Sequence, residues 1–176
     1  ENVLGSNTGS DTLEGDSALN VLKGQGGDDT ILVSAGNDTL DGGSGSDTLS
    51  FSPSTVGVTA SLLAGTASGN DSDTIVNFEN LSGSNFADTL TGDTGANVLE
   101  GQSGDDILNG GDGVDTLDYS TSGVGISATI AGGGSVNVTS SEGTDTISNV
   151  EVFVATDYDD VLIGGSNVQN TITGGG

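Results

Sequence analysis

A large apolar residue returns at every ninth position of the chain. Leu13, Leu22, Ile31, Leu40 and Leu49 form a first series, Leu90, Leu99, Leu108 and Leu117 a second, and Leu162 follows later. Asp or Asn stands two places before each, with Thr, Val or Ile favoured between them, as in Asp11-Thr12-Leu13 and Asn20-Val21-Leu22. The cleanest unit is Gly42-Gly43-Ser44-Gly45-Ser46-Asp47-Thr48-Leu49-Ser50, which reads G-G-x-G-x-D-x-U-x with U apolar. Its first six residues predict a turn, since glycines there allow positive φ and close backbone approach. Its last three predict a short strand whose middle side chain points inward. Two such units complete a coil, so residues 18 apart lie above one another and the ladder becomes a narrow apolar core. Apolar spacing is consistently two or nine, so no amphipathic helix is predicted. The expected class is all-β, a parallel β-solenoid.

The units run in phase over residues 6–14, 15–23, 24–32, 33–41 and 42–50, and again over 83–91, 92–100, 101–109 and 110–118. Residues 155–163 are a degenerate copy ending Asp159-Asp160-Val161-Leu162. The chain therefore divides into repeats over 1–50, an irregular insert over 51–82, repeats over 83–118, a second insert over 119–154, and degenerate repeats over 155–176. Both inserts alternate with period two, at Val56, Val58, Ala60 and Leu62 and at Val124, Ile126, Ala128 and Ile130, which predicts longer half-buried strands. Ala64-Gly65-Thr66 and Ala131-Gly132-Gly133 mark turns, and Val136 and Val138 predict a small hairpin. Repeats and insert together recur as a module of about 75 residues. The solenoid is expected to continue through the inserts, with about ten coils if uninterrupted; separate small sandwiches are the alternative. Beginning at Glu1 without Met and stopping in Gly174-Gly175-Gly176, the start of another turn, the chain is expected to be a segment of something longer.

Stacking has an electrostatic consequence. Asp11, Asp29 and Asp47 fall in one column and Asn20 and Asp38 in the opposite one, and Asp88 with Asp106 and Asn97 with Asp115 repeat the arrangement. Coils are ~4.8 Å apart, and two bare carboxylates at that spacing repel by ~1 kcal/mol in water and several times more at lower dielectric. Calcium, which takes roughly six to eight oxygens from carboxylates and carbonyls, resolves the conflict. The nonapeptides resemble the RTX (haemolysin-type calcium-binding repeat) family over roughly half the chain. The resemblance implies a right-handed parallel β-roll with ions held between successive turns, and roughly four to eight ions in all. It implies sixth-position ligands at Asp11, Asp29, Asp38, Asp47, Asp88, Asp106 and Asp115, with Asp160 in the degenerate copy. Asn20 and Asn97 depart from the pattern; their amides bring no charge, so weaker sites are expected there. The implied carbonyl ligands are the turn glycines Gly9, Gly24, Gly27, Gly36, Gly42, Gly43 and Gly45, then Gly92, Gly95, Gly101, Gly104, Gly110, Gly111 and Gly113.

Composition narrows the remaining possibilities. Of 176 residues 32 are Gly, six are aromatic, none is Cys, His, Met or Trp, and the formal charge is −25 with Lys23 the only basic residue. So acidic and aromatic-poor a chain is expected to be disordered without calcium. Without His or Cys there is no Ser-His-Asp triad, thiol nucleophile or conventional zinc site, and acidic pairs that recur at the repeat period do not make a unique catalytic dyad. Asp71-Ser72-Asp73 and Asp157-Tyr158-Asp159 open like EF-hand loops but lack the Gly and distal Glu such loops need. No basic patch is present for nucleic acid, and no stretch reaches membrane-spanning length. Weak acidic sites fill only at millimolar extracellular calcium, so a secreted, extracellular or cell-surface location is expected. Three functions fit: a structural repeat of a bacterial surface protein (S-layer, adhesin stalk or filament), the non-catalytic calcium-folding tail of a secreted enzyme or toxin, and an ice- or glycan-binding face. Tandem modules favour the first, with calcium and further repeats or copies of the same protein as partners and no direct membrane insertion.

Overall fold

The computed structural model describes residues 2–69, 71–130, 135–163 and 171–173; the turn expected at Ala131-Gly132-Gly133 and the terminal glycines 174–176 lie outside them. Strands alone make up the regular structure of the described residues. The first repeats give β1 (Asn2–Leu4), β2 (Thr12–Glu14), β3 (Val21–Gly26), β4 (Thr30–Leu32), β5 (Thr39–Ser44) and β6 (Thr48–Ser50). The first insert gives β7 (Thr59–Ser61), β8 (Thr66–Ser68), β9 (Ser72–Val76) and β10 (Asn80–Ser82). Then come β11 (Thr89–Thr91), β12 (Val98–Glu100), β13 (Ile107–Asn109) and β14 (Thr116–Asp118). The second insert gives β15 (Ser127–Ile130), β16 (Ser135–Thr139), β17 (Thr144–Ser148) and β18 (Val152–Val154), followed by β19 (Val161–Ile163) and β20 (Thr171–Thr173).

Successive repeat strands go to two opposed sheets, one of 12 strands and one of eight. Within the repeats the pairing is parallel and in the expected 18-residue register, with Leu13 on Ile31, Ile31 on Leu49, Leu22 on Leu40, Leu90 on Leu108 and Leu99 on Leu117. Every one of these residues except Leu13 is fully buried, and Leu13 nearly so. Three residues per strand suffice because each strand is flanked by another above and below, leaving few unpaired backbone groups. The molecule is a parallel β-roll.

The inserts depart from the simple coil. In the eight-stranded sheet each insert contributes a single strand: Thr48 of β6 pairs with Asn80 of β10, and Thr116 of β14 with Val152 of β18, both parallel. In the 12-stranded sheet each insert lays down an antiparallel meander, in the order β5-β9-β8-β7-β11 and again β13-β17-β16-β15-β19. One sheet thus carries two extra strands per insert with no counterpart opposite. The eight-stranded sheet counts eight coils among the described residues, against about ten expected, because each insert spends most of its length on the meander. Alternation survives at Val58 and Ala60 and at Ile126 and Ala128, all buried, but the strands there are three or four residues long. Small residues suit the meander face, and the buried rings of Phe51 and Phe78, then Tyr119 and Phe153, join the same core. Tyr119 and Phe153 stack with centroids 5.5 Å apart.

Candidate metal-binding ladders

Alternation along each strand places the sixth position on the same inward side as the eighth, so the acidic residue lies beneath the turn rather than on its surface. Asp29, Asp38, Asp47, Asp88, Asp106 and Asp115 are all at most 2 % exposed. Each carboxylate reaches back one coil and accepts a backbone amide through Oδ1. Asp29 takes the Asp11 amide at 2.8 Å, Asp47 takes that of Asp29 at 2.8 Å, and Asp38 takes that of Asn20 at 2.8 Å. Asp106 takes the Asp88 amide at 2.8 Å and Asp115 that of Asn97 at 2.9 Å. The columns read from the sequence are therefore physical, and their members are linked by backbone hydrogen bonds as well as by charge. Asp160 is also engaged, accepting the Ile126 amide at 2.9 Å and the Thr156 hydroxyl at 2.8 Å.

Four further acids extend the ladders across the inserts. Asp73 accepts the Asp38 amide at 2.8 Å and Asp145 the Asp106 amide at 2.9 Å. Glu79 accepts the Asp47 amide at 2.8 Å and Glu151 the Asp115 amide at 2.9 Å. Asp73 stood out in the sequence only within Asp71-Ser72-Asp73, and Glu79, Asp145 and Glu151 were not expected as ligands, although the signal was present. Asp73-Thr74-Ile75, Asp145-Thr146-Ile147, Glu79-Asn80-Leu81 and Glu151-Val152-Phe153 all keep the acid-x-apolar spacing without the glycine turn in front.

The other carboxylate oxygen points into the turn. Oδ2 of Asp29, Asp47, Asp106 and Asp115 is buried with no hydrogen-bond partner. A Cβ at Gly24 would overlap both Asp29 Oδ2 and the Gly42 carbonyl oxygen, so two acceptors converge there. Gly42 faces Asp47 and the Asn77 carbonyl, Gly110 faces Asp115 and the Asn149 carbonyl, and Gly101 faces Asp106. Gly27, Gly36, Gly43, Gly45, Gly111 and Gly113 each abut a carbonyl of the preceding coil, and Gly104 abuts the Phe86 backbone. Gly43 and Gly45 sit at φ 108° and 145°, which a side chain would resist, whereas Gly42 is needed for close approach alone. Gly9 and Gly95 lie beside the Ser6 hydroxyl and Asp93 Oδ1, and their carbonyls are the ones that Gly27 and Gly113 abut.

Convergent oxygens without a donor cost free energy unless a cation joins them. Among the described residues no three acidic side chains cluster as a metal centre, so a bound ion would draw on one or two carboxylates and several carbonyls. That all-oxygen set suits calcium. Asn20 and Asn97 fill the same place differently. Asn97 Nδ2 donates to the Glu79 carbonyl at 2.9 Å while its Oδ1 accepts the Asp93 amide at 2.8 Å. Asn20 Nδ2 donates to the Ala18 carbonyl at 3.0 Å and Asp16 Oδ1 at 3.0 Å. At each, the amide oxygen takes the place that the bare Oδ2 holds at the acidic positions, beside Gly15 and Gly92, and it accepts a backbone amide there.

The electrostatics follow. Burial first, and then the neighbouring Asp145, Asp88 and Asp105, push Asp106 up to about 7 despite the Asp88 amide. Burial, with Asp71 and Asp38 beside it, raises Asp73 to about 6. Asp47, Asp115 and Asp145 are raised for the same leading reason. Asp11, half-buried at the first coil, is lowered by its hydrogen bond from the Ser6 amide.

A parallel β-roll whose turns stack buried carboxylates against carbonyls defines a class, the calcium-binding repeat. Within that class the model of the RTX calcium-binding nonapeptide repeat (4 copies) matches residues 6–33, 15–49 and 82–117, and these stretches carry that repeat. Comparison with curated proteins returned no match. The repeat is a structural, calcium-binding one, and no helix among the described residues is long and apolar enough to cross a membrane.

Proposed function

We propose that this chain is a calcium-folded structural segment of a secreted bacterial surface protein, of the S-layer, adhesin-stalk or filament kind. The observation that carries the reading is the set of four buried, partnerless carboxylate oxygens recurring at the repeat period. RTX repeats occur in secreted bacterial proteins, and two modules in tandem suit a scaffold extended by repetition. Asp29, Asp47, Asp106 and Asp115, with carbonyls of neighbouring turns, are the leading ligands; Asp38, Asp88 and Asp160 follow. The ion supplies the positive charge the ladders lack. With a dissociation constant near ~0.1 mM, each occupied site adds about 2.7 kcal/mol at ~10 mM calcium. Four such sites contribute about 11 kcal/mol, comparable with the ~5–15 kcal/mol net stability of a whole domain. The chain is therefore expanded in a calcium-poor cytosol and folds outside the cell. A calcium titration followed by circular dichroism and small-angle scattering tests this: compaction and β-signal should appear together near millimolar calcium and reverse with EDTA. A compact β-structure unchanged in excess EDTA would refute it. Sedimentation of the calcium-loaded parent protein tests assembly, since an enzyme tail would remain monomeric.

A further inference from the structure

The two inserts build the same scaffold but fill one corner of it differently. In each, an aromatic residue follows the last repeat strand and donates its amide to a distant strand: Phe51 to the Ser82 carbonyl at 2.8 Å, Tyr119 to that of Val154 at 2.9 Å. In each, an inward Asp on the third insert strand holds a repeat amide, Asp73 in the first and Asp145 in the second. The second corner is closed. The Tyr119 hydroxyl donates to Asp145 Oδ2 at 2.5 Å, Ser122 donates to Glu142 at 2.7 Å, and Thr121 binds Glu100, leaving a space of about 40 Å³.

The first corner is open. Phe51 has no hydroxyl to offer, and among the described residues no hydrogen bond reaches Asp73 Oδ2, although Asp73 is only 5 % exposed. A cavity of about 320 Å³ remains, lined by Asp73, Asp71, Asp16 and Glu14 together with the apolar Phe51 and Val58. No basic residue lines it, and Lys23 is committed elsewhere, to Asp41 at 2.8 Å. We propose that this cavity binds an alkylammonium cation, with the ammonium on Asp73 and Asp71 and the hydrocarbon stem against Phe51 and Val58. The volume lies in the range of small-molecule sites. A bare metal ion would leave the apolar wall without a partner, whereas an alkyl stem gains from covering it. An ammonium gives the buried carboxylate the donor that Tyr119 gives Asp145.

The test uses the chain held folded in ~10 mM calcium, with n-butylammonium as probe and saturation-transfer nuclear magnetic resonance as readout. Phe51→Tyr should place a hydroxyl against Asp73 as in the second insert, leaving the calcium midpoint unchanged while weakening binding about tenfold or more. Asp73→Asn should weaken it similarly, and n-butanol should not bind. Nα-acetyl-lysinamide separates the sources: binding as tight as that of n-butylammonium admits a protein lysine side chain, and weaker binding leaves a free amine. The proposal is overturned if n-butylammonium shows no binding, if n-butanol binds equally, if both variants bind like the parent, or if calcium displaces the probe from folded protein. Should Phe51→Tyr fail to fold, Asp73→Asn and the n-butanol comparison decide.

Discussion

Replacing Asp29 by Asn should stabilise the calcium-free protein and lose that advantage in the calcium-loaded one. Asp29 is 1 % exposed, accepts the Asp11 amide through Oδ1 at 2.8 Å, and leaves Oδ2 without a partner. Asn has the same shape. With its oxygen on the Asp11 amide, Nδ2 replaces the orphan oxygen and faces the Gly42 carbonyl. In EDTA the substitution removes repulsion with Asp11 and Asp47, ~1 kcal/mol each at high dielectric and more where water is excluded. Asp29→Asn should therefore stabilise by about 1–3 kcal/mol without calcium. At ~10 mM calcium the loss of one site removes about 2.7 kcal/mol, which offsets that gain and leaves a net destabilisation of up to about 1.7 kcal/mol. Asp29→Ala also strands the Asp11 amide, so it should be about 1 kcal/mol worse than Asn in both conditions. Urea melts in calcium and folding driven by trimethylamine N-oxide in EDTA, both read by circular dichroism, supply the comparison. Asp29→Asn destabilising equally in both would show that Asp29 acts through packing alone, and the calcium assignment would fall.

Calcium-free protein should lose stability as pH rises. Asp73 at about 6 and Asp106 at about 7 lie above the ordinary 3.8, so the folded state keeps protons that the unfolded chain releases. Their stabilisation is full below about pH 4 and is lost as pH climbs through 6 and 7. After allowance for solvent screening this amounts to about 2–4 kcal/mol for Asp106. Folding in EDTA at pH 4.5 and pH 8 checks the sign, and saturating calcium, which binds the ionised form, should remove the loss. Tyr119→Phe takes the hydroxyl donor from Asp145 Oδ2 and should cost about 1–3 kcal/mol in a urea melt. An unchanged midpoint would mean that the pair contributes nothing to the second insert.

The spacing of apolar and acidic residues was enough to determine the coil, the 18-residue register, the buried Leu/Ile ladder and the acidic columns at Asp11, Asp29 and Asp47 and at Asp88 and Asp106. Those features are local: turn chemistry and strand alternation act within nine residues, and identical units can stack in phase in only one way. The inserts were legible as alternating segments, but not as meanders confined to one sheet. Thr48 meets Asn80 and Ile107 meets Thr146 across 32 and 39 residues, and no local preference selects a partner at that distance. For the same reason Asp73, Glu79, Asp145 and Glu151 look like loop acids until pairing brings them under Asp38, Asp47, Asp106 and Asp115. The open corner beneath Phe51 and the closed one beneath Tyr119 differ in sequence by one hydroxyl and a few polar side chains. Only the packed structure makes that difference a cavity, because a space exists only where elements distant in the chain fail to fill it.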